Sequence, residues 1–273
     1  MNSATEQRIK SKLKTISKER NISFNLLLEA LFFERFLARL AKSPHKDNLI
    51  FKGGQCLAQY INLGRETRDI DFLLQRVKSS KDEVKTIFDE IVAINLEDEF
   101  QFLDVKVIEL PLDNKKYPGI RLSLIGKCGQ IHQKLSIDIG VGDIVHPQDL
   151  KINLVGQKIF NDEIDLKVYP PEYIFSEKLE AVIFLEDFNS RMKDYYDLWI
   201  MIQGNILDSE KIDIAIEDTF SQRGTELVNI PDYSDTLSTR WNSFLKKNKL
   251  GQFDLKKIIL GLNDYLNKIK KIN

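Results

Sequence analysis

The sequence predicts an α/β domain followed by a helical one, with the change of character near Pro170. Before Pro170-Pro171, short β-patterned runs alternate with amphipathic helical runs; from Glu172 onward nearly everything reads as helix. A Gly53-Gly54 turn stands where a strand should give way to a helix, and Asp69-Ile70-Asp71 follows it.

Taken in order, Ser3 with Glu6 forms a capping box opening a first helix through about Lys18. A second runs from about Ser23 to Lys42, apolar on most faces, with Ser43-Pro44 ending it. Leu49-Ile50-Phe51 is a short strand feeding the Gly-Gly turn. Residues 55–63 read as helix, closed by Gly64 as a left-handed cap. Asp69 to Leu74 is a strand whose alternation sets Asp69 and Asp71 on one face, Ile70 and Phe72 on the other. Ser80 with Glu83 opens a helix striped by Val84, Ile87, Phe88, Ile91 and Ile94. Strands follow at 102–110, 120–125 and 134–139, the last turning Ser136 and Asp138 away from Leu135, Ile137 and Ile139. The chain closes on Leu255, Ile258, Ile259, Leu262, Leu266 and Ile269 at helical spacing.

Composition narrows the class. At 273 residues the chain fits one large domain or two, and 42% hydrophobic residues with 10% aromatics can build a core. A net charge of -1 argues against a surface that is basic throughout, leaving room for a local basic patch. Cys56 and Cys128 lie far apart and read as reduced thiols of a cytoplasmic protein. The N-terminus has no secretory pattern, and the apolar stretch 24–40 is broken by Glu29, Glu34, Arg35 and Arg39, so no membrane association is expected. Glu34-Arg35 reads as a structural pair. His45, His132 and His146 form no cluster, and neither a nucleophile elbow nor a Walker A loop is present.

Two carboxylates one residue apart on a strand face stand about 7 Å apart at the Cα level. Mg²⁺ takes one or two carboxylates together with substrate phosphates, and a third carboxylate on a neighbouring strand would complete a two-metal clamp. Asp138 is the first candidate for that third position and Asp143 the next. An isolated Asp-x-Asp is more often a solvated strand edge. The upstream turn changes this, because bare amides at a helix N-terminus suit a phosphate. Arg65, Thr67 and Arg68 either contact such phosphates or solvate a loop.

The stretch from Phe51 to Leu57, with Lys52-Gly53-Gly54-Gln55, then Arg65-x-Thr67-Arg68-Asp69-Ile70-Asp71, resembles the first motif of the polymerase-β-type nucleotidyltransferase superfamily, and more closely the AbiEii/AbiGii toxin family. A second block agrees: Glu177-Lys178-Leu179-x-Ala181, then Arg191-x-Lys193-Asp194-x-x-Asp197-Leu198. The resemblance runs over roughly residues 26–199. It implies a nucleotidyltransferase-type mixed β-sheet domain flanked by helices over residues 1–169, followed by a helical bundle over 170–273. It further implies a nucleoside triphosphate substrate with Mg²⁺, or Mn²⁺ in its place, and a toxin with a cognate antitoxin. Some relatives, the MenT toxins, add nucleotides to the acceptor end of tRNA, which makes tRNA an expected acceptor. Gln55 departs from the Thr or Ser common at its position.

The second block also has chemistry of its own. Charge shifting to a leaving pyrophosphate needs a cation, which Lys178 can supply; the alternative is an exposed helix lysine. Arg191 and Asp194 share a helix face. Asp194 reads as a site contact, and Asp197 as an orienter of Lys178 or a member of a salt-bridge network. Tyr195, Tyr196 and Trp199 read as core. The catalytic set is therefore Asp69, Asp71, Asp138, Lys178 and Asp194, with Asp69, Asp71 and Asp138 as metal ligands. The nucleotide-binding set is Lys52, Gly53, Gly54, Gln55, Arg68, Lys178, Arg191 and Asp197. The competing function is a nucleotide- or antitoxin-binding protein without turnover.

Overall fold

A computed structural model describes residues 4–110, 119–152, 157–160 and 162–270. The expected Ser3 cap lies outside them. The chain forms two compact units, each discontinuous in sequence: residues 1–53, 68–142 and 148–168 in one, and 54–67, 143–147 and 169–273 in the other.

The first unit is a seven-stranded mixed sheet with helices. Its strands are β1 (Leu49–Lys52), β2 (Ile70–Leu74), β3 (Gln101–Glu109), β4 (Ile120–Cys128), β5 (Ile131–Val141), β6 (Gln148–Lys151) and β7 (Asp165–Val168), in spatial order β3-β4-β5-β2-β1-β7-β6. β2 runs parallel to β5 and antiparallel to β1, and β1 runs parallel to β7. Alternation makes the sheet two-faced. One face presents Phe51, Phe72, Leu122, Ile137 and Ile139, all buried. Against it pack α2 (Phe24–Lys42) and α4 (Lys81–Val92), while α1 (Ala4–Arg20) packs on α2. Phe36 anchors this core, stacked on Phe88 at 5.7 Å and edge-on to Phe72 and Phe102.

α2 holds charge as well. Arg39 forks onto Asp98 at 2.8 and 3.1 Å and donates to the Phe100 carbonyl. Glu34 and Arg35 are both buried and 3.7 Å apart, with Arg35 bonded to Asp162 at 2.6 Å. The short α5 (Gln157–Phe160) supplies a ring under Arg35, 4.4 Å from its guanidinium.

The second unit is helical: α6 (Pro171–Leu185), α7 (Met192–Gln203), α8 (Ser209–Arg223), α9 (Ser234–Asn248) and α10 (Leu255–Lys270). α6 starts with proline at its first turn, where a missing N–H costs nothing. It is apolar nearly all round and is the buried centre, packed by α7 and α8. Among the described residues no helix is long and apolar enough to cross a membrane.

Three local expectations are corrected. The helix after the Gly-Gly turn, α3 (Gly53–Leu57), stops at Leu57 instead of Leu63. Bonds tighten there to i→i−3, from Gln59 to Cys56 and from Tyr60 to Leu57. Gly64 does take the left-handed conformation at φ +63, but in a turn whose amide bonds the Asn62 side chain. Asp69 lies just before β2 and is exposed, outside the strand expected to include it.

Candidate active site

Register assembles one candidate cluster within the sheet unit. Lys52 pairs with Asp71 across β1 and β2, Asp71 with Asp138 across β2 and β5, and Asp138 with Arg121 across β5 and β4. Cross-strand partners share a face, so these four side chains form one transverse row on the face opposite Phe51 and Phe72. The row reads plus, minus, minus, plus.

The Gly-Gly turn meets the row through its first glycine. Gly53 has φ +75, and a Cβ there would overlap the Asp71 carboxylate, at 2.7 Å from its Cγ. Both facts demand glycine. The backbone thus comes right up to the Asp71 carboxylate.

Arg121 forks onto Asp138 at 2.7 and 2.8 Å, with both side chains partly exposed. That bond, and then the more distant Asp69 and Asp71, raise the Arg121 pKa above its already high ordinary value. The sheet thus brings Asp138 beside Asp71 with its carboxylate engaged. Among the described residues no group of three or more His, Cys, Asp or Glu side chains is placed to hold a metal. A set of two carboxylates suits Mg²⁺ when phosphates complete the shell, and Asp69 with Asp71 offers that set. Arg68 is exposed. Asp143, the second candidate for a third carboxylate, is bonded by Arg223 at 3.0 and 3.1 Å within the helical unit.

A separate cluster lies wholly in the helical unit. Lys178, on α6, reaches Asp194 at 2.6 Å and Asp197 at 2.8 Å, both on α7 and both fully buried. The two aspartates stand three positions apart, so one helix face presents both. Arg191 at the start of α7 touches Asp194 at 2.9 Å and is half exposed. Arg65 forks onto Asp197 at 2.6 and 2.8 Å. Three cations thus enclose two carboxylates. Burial pushes the Lys178 pKa down, but the two carboxylates outweigh it and raise the pKa. Burial likewise pushes Asp197 up, and Lys178 with Arg65 hold it below the usual carboxylate value.

The segment carrying Arg65 is pinned to this cluster. Gln55 donates to the Thr67 carbonyl at 2.6 Å, and Tyr196 on α7 donates to the Leu63 carbonyl at 2.9 Å. A Cβ on Gly54 would meet Thr67 Oγ1 at 2.6 Å. Tyr195 and Tyr196 are buried, the latter edge-on to Phe253.

Sequence reasoning misses two participants. Arg121 is legible as an outward residue of an alternating strand, although its partner depends on register. Arg65 reads from sequence as a phosphate contact or a loop cation; its partner lies 132 residues away, and no local pattern signals that.

The sequence profile of a family described as "Nucleotidyl transferase AbiEii toxin, Type IV TA system" matches residues 35–265. No curated protein matches the chain. Among solved structures, JHP933 from Helicobacter pylori superposes with a TM-score of 0.53 at 17% identity, covering 91% of this chain and 93% of that one. At that identity it establishes the fold alone. A second Helicobacter pylori structure, described as a candidate nucleotidyltransferase, gives 0.49 at 17% identity, over 91% and 96% of the two chains.

Proposed function

This chain belongs to the AbiEii family of nucleotidyl transferase toxins of type IV toxin–antitoxin systems, and from that premise we propose that it transfers a nucleoside monophosphate from a nucleoside triphosphate to an acceptor hydroxyl. The observation that carries the proposal is the contact of Gly53 with Asp71. A turn whose amides suit phosphate is packed on a carboxylate that suits Mg²⁺.

Asp69 and Asp71 would hold the Mg²⁺, or Mn²⁺, which would supply charge neutralisation of the phosphates and activation of the attacking oxygen. The acceptor hydroxyl attacks the α-phosphorus; the bond from that phosphorus to its bridging oxygen breaks, and pyrophosphate leaves with the electron pair. Lys52 and the amides of Gly53, Gly54 and Gln55 cradle phosphate oxygens, with Arg68 as a further cation. Asp138 receives the hydroxyl proton once Arg121, whose side chain is half exposed, swings off it. Lys178 stabilises charge on the leaving group, Arg191 binds phosphate, and Asp194 and Asp197 orient Lys178. The acceptor is an RNA 3′ end, tRNA first, and a cognate antitoxin is the protein partner.

The test incubates the chain with Mg²⁺, each α-labelled nucleoside triphosphate in turn, and total tRNA. Label should move to RNA with release of pyrophosphate, and Asp69→Asn and Asp71→Asn should each abolish it. Nucleotide binding without transfer to RNA, protein or small-molecule acceptors would replace this reading with that of a binding protein.

A further inference from the structure

We propose that Arg65 is a positioning residue that keeps the Lys178 ammonium available to the nucleotide by occupying Asp197; this rests on the phosphate-binding role given to Lys178 above. Lys178 sits between two fully buried carboxylates, Asp194 at 2.6 Å and Asp197 at 2.8 Å. Taken alone, one ammonium between two carboxylates is a net negative site. Such a site repels a triphosphate and spends the lysine's protons on its own neighbours.

Arg65 changes that balance. Its Nε and Nη2 each bond a different oxygen of Asp197, at 2.8 and 2.6 Å. A forked guanidinium saturates a carboxylate better than an ammonium can, because both oxygens are met in one plane. Its side chain is 4% exposed, so solvent does little to screen its charge. With Asp197 neutralised by Arg65, Lys178 is left to balance Asp194 alone, and Arg191 tips the cluster positive.

Nothing in Arg65's position is loose. Its Nη1 donates to the carbonyl of Glu66 at 3.1 Å. The second glycine of the turn lies beside it: a Cβ on Gly54 would be 3.6 Å from Nη2, an ordinary van der Waals contact. The flanking ties from Gln55 to Thr67 and from Tyr196 to Leu63 fix the backbone on either side. One side chain therefore links the segment following the Gly-Gly turn to the helix pair that holds the lysine.

The experiment measures the Kd of a non-hydrolysable nucleoside triphosphate with Mg²⁺ by calorimetry on the full chain, beside the melting temperature. Arg65→Gln should weaken binding by roughly tenfold or more, equivalent to one modest charge-assisted contact. Arg65→Lys keeps the charge without the fork and should fall between wild type and Arg65→Gln. The deciding variant is Arg65→Gln with Asp197→Asn: removing the carboxylate that Arg65 neutralises should make the double variant bind more tightly than Arg65→Gln alone. A double variant as weak as Arg65→Gln, or weaker, overturns the proposal and leaves Arg65 a structural residue. A melting temperature restored in the double variant while affinity stays lost overturns it equally. Wild-type protein that binds no nucleotide overturns the functional reading beneath it as well, which separates the two failures.

Discussion

At the scale of single residues the site is most constrained at Gly53. Alanine there would need both a positive φ, costing about 1–2 kcal/mol, and space held by the Asp71 carboxylate. Gly53→Ala should therefore lower transfer by at least about a hundredfold, while circular dichroism keeps the wild-type spectrum. Retained activity would detach the turn from the chemistry. The buried cluster makes a second prediction, through pH. Asp197 has its folded pKa below the ordinary 3.8, so its contribution to stability is complete above that value and is lost as pH falls through the folded pKa. Lys178 has its folded pKa above 10.5, so its contribution is complete below that value and is lost as pH rises through the folded pKa. Urea unfolding should show this contribution flat between about pH 5 and 9, falling at both ends. In Asp197→Asn the acid-side loss should shrink; an unchanged acid limb would mean other carboxylates govern it. Both residues are visible in the sequence, since Lys178, Asp194 and Asp197 stand at fixed spacings. The role of Arg65 is not, because a partner 132 positions away leaves no periodic trace.

At the scale of elements, alternation carries most of the information. In β5 the run from Leu135 to Ile139 announces that Asp138 faces away from the core, and the register then sets it beside Asp71. The same logic applied to Ile120-Arg121-Leu122 places Arg121 on that face, though only the sheet order says which strand it meets. β6 and β7, four residues each, are not legible because so short a run carries no readable period. α3 reads too long from sequence because Ile61 continues the apolar spacing, while the bonding has already tightened at Gln59. α7 serves two purposes, presenting Asp194 and Asp197 to Lys178 and Trp199 to α10. Gly261 of α10 is where that second contact is closest: a Cβ would overlap the Trp199 ring, at 3.1 Å from Cη2. Gly261→Leu should cost about 1–3 kcal/mol by overpacking, read as a lower urea midpoint with unchanged slope. A loss of nucleotide affinity larger than the loss of stability would show that strain in α7 reaches the aspartates.

At the scale of the whole molecule, chain order and spatial grouping part company. Pro170-Pro171 is readable as a change from mixed to helical pattern. That residues 54–67 and 143–147 group with the helices is not, since those segments join them through single side chains such as Arg65 and Tyr196. The motif halves thus belong to different compact units, and the proposed mechanism draws on residues of each. That gives toxicity a strict form. If growth arrest follows from transfer, each half must be necessary by itself: Asp71→Ala removes a metal carboxylate, Lys178→Ala removes the buried cation, and either should relieve arrest at equal protein level. The lysine variant needs a control, because it leaves Asp194 and Asp197 facing each other without their shared ammonium, a change that can cost about 3–5 kcal/mol. Lys178→Met with Asp194→Asn removes one charge of each sign and should hold the fold while abolishing transfer. Cells that resume growth with that folded double variant place the arrest in the chemistry. Continued arrest by it, and by Asp71→Ala, would mean that the chain stops growth by binding rather than by turnover.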